Sequence, residues 1–155
     1  MRIVSLAGAG LGLGLFLTGS LPCAADPAAA APAPIVVVPG AEQYAAAPSP
    51  FPSGVMIAVL SGDLTKAGAP YTMRIKLPGG ARIPVHTHAG TENVTVISGT
   101  FLVGVGSTFD ASKMTALSAG SYVSVPPHLA HYAMAKGPTV VDVSGLGPEE
   151  TNFLK

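Results

Sequence analysis

The sequence has one cysteine, Cys23, and no tryptophan. A single thiol can form neither a disulfide within the chain nor a thiolate zinc knuckle. Charge is also scarce. Charged residues make up 10% of the chain, and eight Lys and Arg balance eight Asp and Glu. No basic stripe or run of like charges is present, so nothing marks a nucleic-acid or anionic-membrane partner. Also missing is any long window with a 3.6-residue apolar period, which excludes substantial helices. The 155 residues suffice for one domain with a modest core.

Residues 1–25 read as a secretory signal peptide. Arg2 gives a short positive start, Ile3 to Leu17 is uncharged and apolar, and small residues precede Asp26. Cleavage after Ala25 is expected, with export to the bacterial periplasm and no stable membrane insertion afterwards. The competing readings are a retained anchor and a lipid-modified Cys23. Against them, the apolar stretch is Gly-rich and short for a spanning helix, and Pro22 stands where lipidation wants a small residue. Residues 26–52 are rich in Ala and Pro, a stiff and extended composition that suits a linker or arm. Ile35 to Val38 interrupts it with four apolar β-formers that could pair onto a sheet edge.

From residue 53 the pattern changes. Short β-rich runs alternate with Gly, Pro, Asp and Ser clusters. Strands are predicted near Val55–Ser61, Tyr71–Leu77, Arg82–His86, Glu92–Ser98, Thr100–Gly106, Thr115–Leu117, Tyr122–Val125, His131–Ala135 and Thr139–Gly145. Many short strands at close spacing indicate an all-β sandwich or barrel. The alternation in Tyr71–Leu77 puts Met73, Ile75 and Leu77 inward and Thr72, Arg74 and Lys76 outward.

All four histidines fall between positions 86 and 131. His86 and His88, two apart on a strand end, project from the same face. Ala89-Gly90-Thr91 then reverses the chain, and Glu92 joins that face if its strand pairs beside the first. His131 opens a strand after a proline turn. Three imidazoles and a carboxylate suit Fe, Mn, Co, Ni, Cu or Zn better than Ca or Mg. Taken alone, a His-x-His pair followed by a glutamate is a weak signal, common on exposed edges.

Two motifs strengthen it. Gly80-ARIPV-His86-Thr87-His88-AGT-Glu92-NVTVIS-Gly99 resembles the first motif of the cupin superfamily at every fixed position. Gly120-SYVSV-Pro126-Pro127-His128-LA-His131-YAM-Ala135 resembles the second, with His128 in place of the usual glycine and Ala135 in place of the usual asparagine. The resemblance implies a double-stranded β-helix (jelly-roll barrel) over residues 53–155, preceded by an extended N-terminal arm. It also implies His86, His88, Glu92 and His131 as ligands of one divalent transition metal, with Fe, Mn or Ni first and Zn, Cu or Co as alternatives. Small-molecule substrates are implied as partners, and a homodimer is a further expectation. His128, in the glycine's place, must accept positive φ, which histidine tolerates comparatively well.

Other residues around the site are also expectations. Val94, Val96, Ser98 and Ala133 share the inward parity of Glu92 and His131, and Met73 and Ile75 are candidates for a greasy lining. Tyr122 is the best candidate for a pocket hydroxyl. No second inward acid or base is apparent, since Glu149 and Glu150 fall in the tail. That favours dioxygenase-like chemistry, in which the metal can hold both reactants, over decarboxylation or isomerisation. The alternative is a non-catalytic periplasmic protein that binds metal or a small ligand, or has a structural role. No specific catalytic residue is assigned.

Overall fold

The computed structural model describes residues 32–155. The expected leader and the first residues of the Ala/Pro-rich segment lie outside them. Every element below belongs to the compact unit Ile35–Lys155. The strands are β1 (Ala45–Ala46), β2 (Met56–Gly62), β3 (Pro70–Leu77), β4 (Arg82–His88), β5 (Glu92–Ser98), β6 (Thr100–Val105), β7 (Thr115–Ser118), β8 (Tyr122–Val125), β9 (His131–Ala135), β10 (Thr139–Leu146) and β11 (Thr151–Phe153). One 3₁₀ turn, Ala111–Lys113, precedes β7. Among the described residues no helix is long and apolar enough to cross a membrane.

The strands form two antiparallel sheets. One has the order β1-β2-β3-β10-β5-β8 and the other β11-β4-β9-β6-β7. Period-2 alternation supplies the core between them. In the first sheet, Met73, Val143 and Val94 lie in one row across β3, β10 and β5, and Ile75, Val141 and Val96 in the next. All six are buried, as are Ile83, Phe101, Ala133 and Ala135 from the second sheet. On the outer face Arg74 clamps Asp142 across β3 and β10, with Nε to Oδ1 at 2.7 Å and Nη2 to Oδ2 at 2.8 Å. The predicted inward and outward residues of β3 therefore stand as expected.

Chain reversals fall where glycine allows them. Gly99, at φ 81°, carries the chain from β5 to β6, and a side chain there would collide with the Pro138 carbonyl. Gly80 and Gly120 also have positive φ, as their places in the motifs suggest.

The Ala/Pro-rich arm meets the sheet differently from expectation. Ile35–Val38 forms no strand and is exposed. Prolines flank it on both sides, and Ala41 N–H closes a turn onto the Val38 carbonyl. Contact begins further along. Glu42 accepts from Arg74 Nη1 at 3.0 Å, the Tyr44 ring lies under Lys76 Nζ, Ala45–Ala46 pair with β2, and Ala47 and Phe51 pack on the core. Residues from the expected linker thus form an edge of the barrel.

Candidate metal centre

His86 and His88 lie on β4, between β9 and the short β11. Pro84 breaks the pleat of β4. The pairing with β9 shifts between Ile83 and His86, so one extra residue is taken up and Ile83, His86 and His88 all face inward. Arg82, which shares strict alternation with His86, is exposed instead, with its guanidinium over the Phe109 ring. His131 sits opposite His86 in register, and their ring centroids are 4.1 Å apart. Glu92 arrives by another route than expected. β4 and β5 lie in different sheets, so Glu92 reaches the imidazoles from the facing sheet.

The three imidazoles are buried, and each offers a nitrogen within 4.8 Å of the others. Their outer nitrogens are all engaged. His86 Nδ1 donates to the Pro84 carbonyl at 2.7 Å, His131 Nδ1 to the Leu129 carbonyl at 2.9 Å, and His88 Nδ1 to the Glu150 carbonyl at 3.1 Å. These acceptors assign the Nδ1–H tautomer and leave three Nε2 lone pairs facing the centre. His88 Nε2 is buried with no hydrogen-bond partner. Glu92 spans the gap, with Oε2 3.2 Å from His131 Nε2 and Oε1 3.6 Å from His88 Nε2. In the Nδ1–H tautomer, His131 Nε2 and the Glu92 oxygen facing it are two acceptors at contact distance. A cation between them relieves that arrangement and satisfies the orphaned His88 nitrogen. The donor set therefore fits a transition-metal ion.

The environment sets these rings apart. Burial, then the neighbouring His131, pushes the His86 imidazole down to about 4. Burial also opposes charge on His88, but hydrogen bonding to Glu149 and the charges of Glu92 and Glu149 outweigh it and raise the group.

Glu149 is the residue that sequence reasoning missed. Placed in the tail by its position, it lies beside the site, with Oε1 3.2 Å from His88 Nδ1 and Oε2 accepting from the Tyr71 hydroxyl at 2.7 Å. Burial favours its neutral form, but hydrogen bonds from His88 and Tyr71 outweigh this and hold the carboxyl below its ordinary range. Burial, then Glu149, raises the Tyr71 hydroxyl. The tail comes here because Thr151–Phe153 pairs with His88–His86 of β4. The only hint in the sequence is a three-residue β-run after Gly147-Pro148.

Other candidates fall elsewhere. Val94, Val96 and Ala133 face inward as expected, whereas Ser98 is exposed. Tyr122 is exposed, and its hydroxyl donates to Asn93 on the outer surface. His128 is exposed on its turn at φ 61°, and its N–H donates to the His88 carbonyl at 2.9 Å. It supports the strand end through the backbone and takes no part in the cluster.

Residues 73–143 match the family described as Cupin domain, and that segment carries all four inward residues. Solved structures share the fold. The polyketide cyclase RemF from Streptomyces resistomycificus superposes with a TM-score of 0.64 at 13% identity, over 77% of this chain and 84% of its own. An acetylacetone dioxygenase from Acinetobacter johnsonii gives 0.62 at 17% identity, over 84% and 83%. A cupin-like protein from Thermotoga maritima gives 0.60 at 19% identity, over 73% and 86%. No curated protein matches the sequence. Residues 73–143 thus carry a cupin domain, and the two-sheet jelly roll with three clustered imidazoles inside agrees with that match.

Proposed function

We propose that the chain is a small-molecule metalloenzyme of dioxygenase-like type, holding one divalent transition-metal ion on Nε2 of His86, His88 and His131 and on the Glu92 carboxylate. The observation that carries this reading is the set of three Nε2 lone pairs turned toward one another beside an acceptor carboxylate. An ion held there would act as a Lewis acid with open positions for a chelating substrate or dioxygen. The chain's own residues do the rest. The Pro84, Leu129 and Glu150 carbonyls orient the rings, Glu92 offsets positive charge, and the apolar walls exclude water.

Support for oxidative chemistry comes from the likeness in fold to a dioxygenase; the fold hosts other activities as well. Glu149 and Tyr71 favour a second reading, a reaction that moves protons without dioxygen, since an acid/base pair borders the site after all. A dioxygen electrode separates the two. Fe, Mn and Ni forms are screened against diketones and flavonols, with oxalate as a third substrate. Metal-dependent dioxygen uptake with a diketone or a flavonol is expected. Substrate turnover without dioxygen uptake would establish the second reading, and no turnover by any form would overturn the enzyme. From the apolar leader of residues 3–17 we also propose that the protein is exported, in which case N-terminal sequencing should find a mature chain that begins at Asp26.

A further inference from the structure

A cavity of about 490 Å³ opens beside the imidazole cluster. Its size falls in the range of metabolite-binding pockets, about 300–1,000 Å³. Two of its wall residues also touch the cluster. Glu149 meets His88, and the Phe153 ring lies 5.6 Å from that of His86. Phe51 packs edge-on against Phe153 at 5.3 Å, and Ile57, Leu64 and Met73 complete the apolar surface. No Lys, Arg or His lines the cavity, and its one ionisable group is Glu149.

The origin of these walls is informative. His86, His88, Glu92 and His131 all lie within the segment shared with the family, residues 73–143. Of the cavity's lining residues, every one except Met73 lies outside it. The walls come from the arm and β2 on one side and from the tail around β11 on the other. The inner cluster is thus built from the shared segment, and the space beside it from segments the family match does not cover.

We infer that this cavity selects a neutral, largely apolar small molecule, such as one built on an aromatic ring, that bears one hydrogen-bond donor for Glu149, and that it rejects anionic substrates and sugars. The inference deepens the proposed function by naming its substrate class, and it rests on that reading for the link to chemistry. Two physical points carry it. An anion would meet a carboxylate with no compensating cation in the wall. A sugar would bury several hydroxyls against a surface with three polar side chains, Ser49, Glu149 and Thr151. Glu149 itself can take one more donor. Oε1 accepts from Thr151 and faces His88, and Oε2 accepts only from Tyr71, so an acceptor position on Oε2 is left.

The test uses the full chain freed of metal by chelation, so that no probe can bind through an ion. Benzyl alcohol, benzoate and glucose are titrated at about pH 8.5, where carboxylates are ionised, by ligand-observed NMR. Saturable binding of benzyl alcohol is expected, with benzoate weaker by about tenfold or more and glucose without effect. Ile57→Trp should fill the cavity and abolish binding; Leu64→Phe, a smaller change, should weaken it if the first variant fails to fold. Glu149→Gln should narrow the gap between alcohol and acid. Benzoate binding as well as benzyl alcohol, or no saturable binding of the alcohol, would overturn the inference. Metal analysis of the same protein before chelation keeps the two readings apart. Bound metal without alcohol binding refutes the cavity's selectivity alone, and alcohol binding without any metal uptake refutes the metalloenzyme alone.

Discussion

At the scale of single residues, the centre depends on where each imidazole puts its protons. His88 is raised by Glu149 and Glu92, while His86 is held down to about 4. The sign follows. In the metal-free protein, falling pH protonates His88 first, and His86 stays neutral until far lower. A protonated ring cannot coordinate, so metal affinity should fall as pH falls, beginning with His88. Imidazole resonances of the metal-free chain should show His88 titrating at higher pH than His86; the reverse order would mean that the Glu149 contact does not persist in solution. Glu149 also fixes the His88 ring from outside the ligand set. Glu149→Ala should weaken metal binding by about 10–100-fold, the usual cost of losing an outer partner, as read by competition with a chelator. His86, His88 and His131 were legible because spacing and motif carry them. Glu149 was not, because its role comes from the pairing of β11 with β4, far apart in the chain, and no local pattern encodes that.

At the scale of elements, alternation predicted β3, β5, β8 and β9 closely. Two local effects lay beyond it. Pro84 inserts a bulge into β4 and so turns Ile83 inward and Arg82 outward. Tyr132 alternates with the inward His131 and Ala133 and so has outward parity, yet it is fully buried. The loop before β7 covers it, with its hydroxyl donating to the Asp110 carbonyl at 3.1 Å and its ring 4.9 Å from that of Phe109. Gly104, facing Tyr132 across β6 and β9, leaves room for the ring, and a Cβ there would overlap it. Gly104→Ala should therefore destabilise the fold by about 1–3 kcal/mol through overpacking, measured by urea unfolding. An unchanged midpoint would show that this loop does not hold the ring in place. The shortest strands, β1 and β11, escaped prediction because two or three residues carry no readable period.

At the scale of the whole molecule, both ends of the barrel close on the site. The arm from Glu42 to Phe51 supplies an edge strand, an ion pair and a phenyl ring packed against the core, although its Ala/Pro-rich composition reads as linker or arm. A chain beginning at Ala41 should fold like one beginning at Asp26, since Ile35–Val38 touches no sheet. A chain beginning at Ser53 should lose about 2 kcal/mol or more, since the half-buried Phe51 ring goes together with the edge strand and the Glu42 ion pair. Thermal melts of the three chains check this, and equal melting for all would return the arm to the status of a linker.

The proposed centre requires that one metal ion bind to His86, His88, Glu92 and His131. It is tested most directly by metal analysis of the His131→Ala and His128→Ala proteins beside the unaltered chain. The two histidines share one short turn and strand, yet only His131 faces the cluster. One ion per chain is expected in the unaltered protein and in His128→Ala, with loss of nearly all metal from a still-folded His131→Ala. Metal retained by His131→Ala, or stripped by His128→Ala, would contradict it.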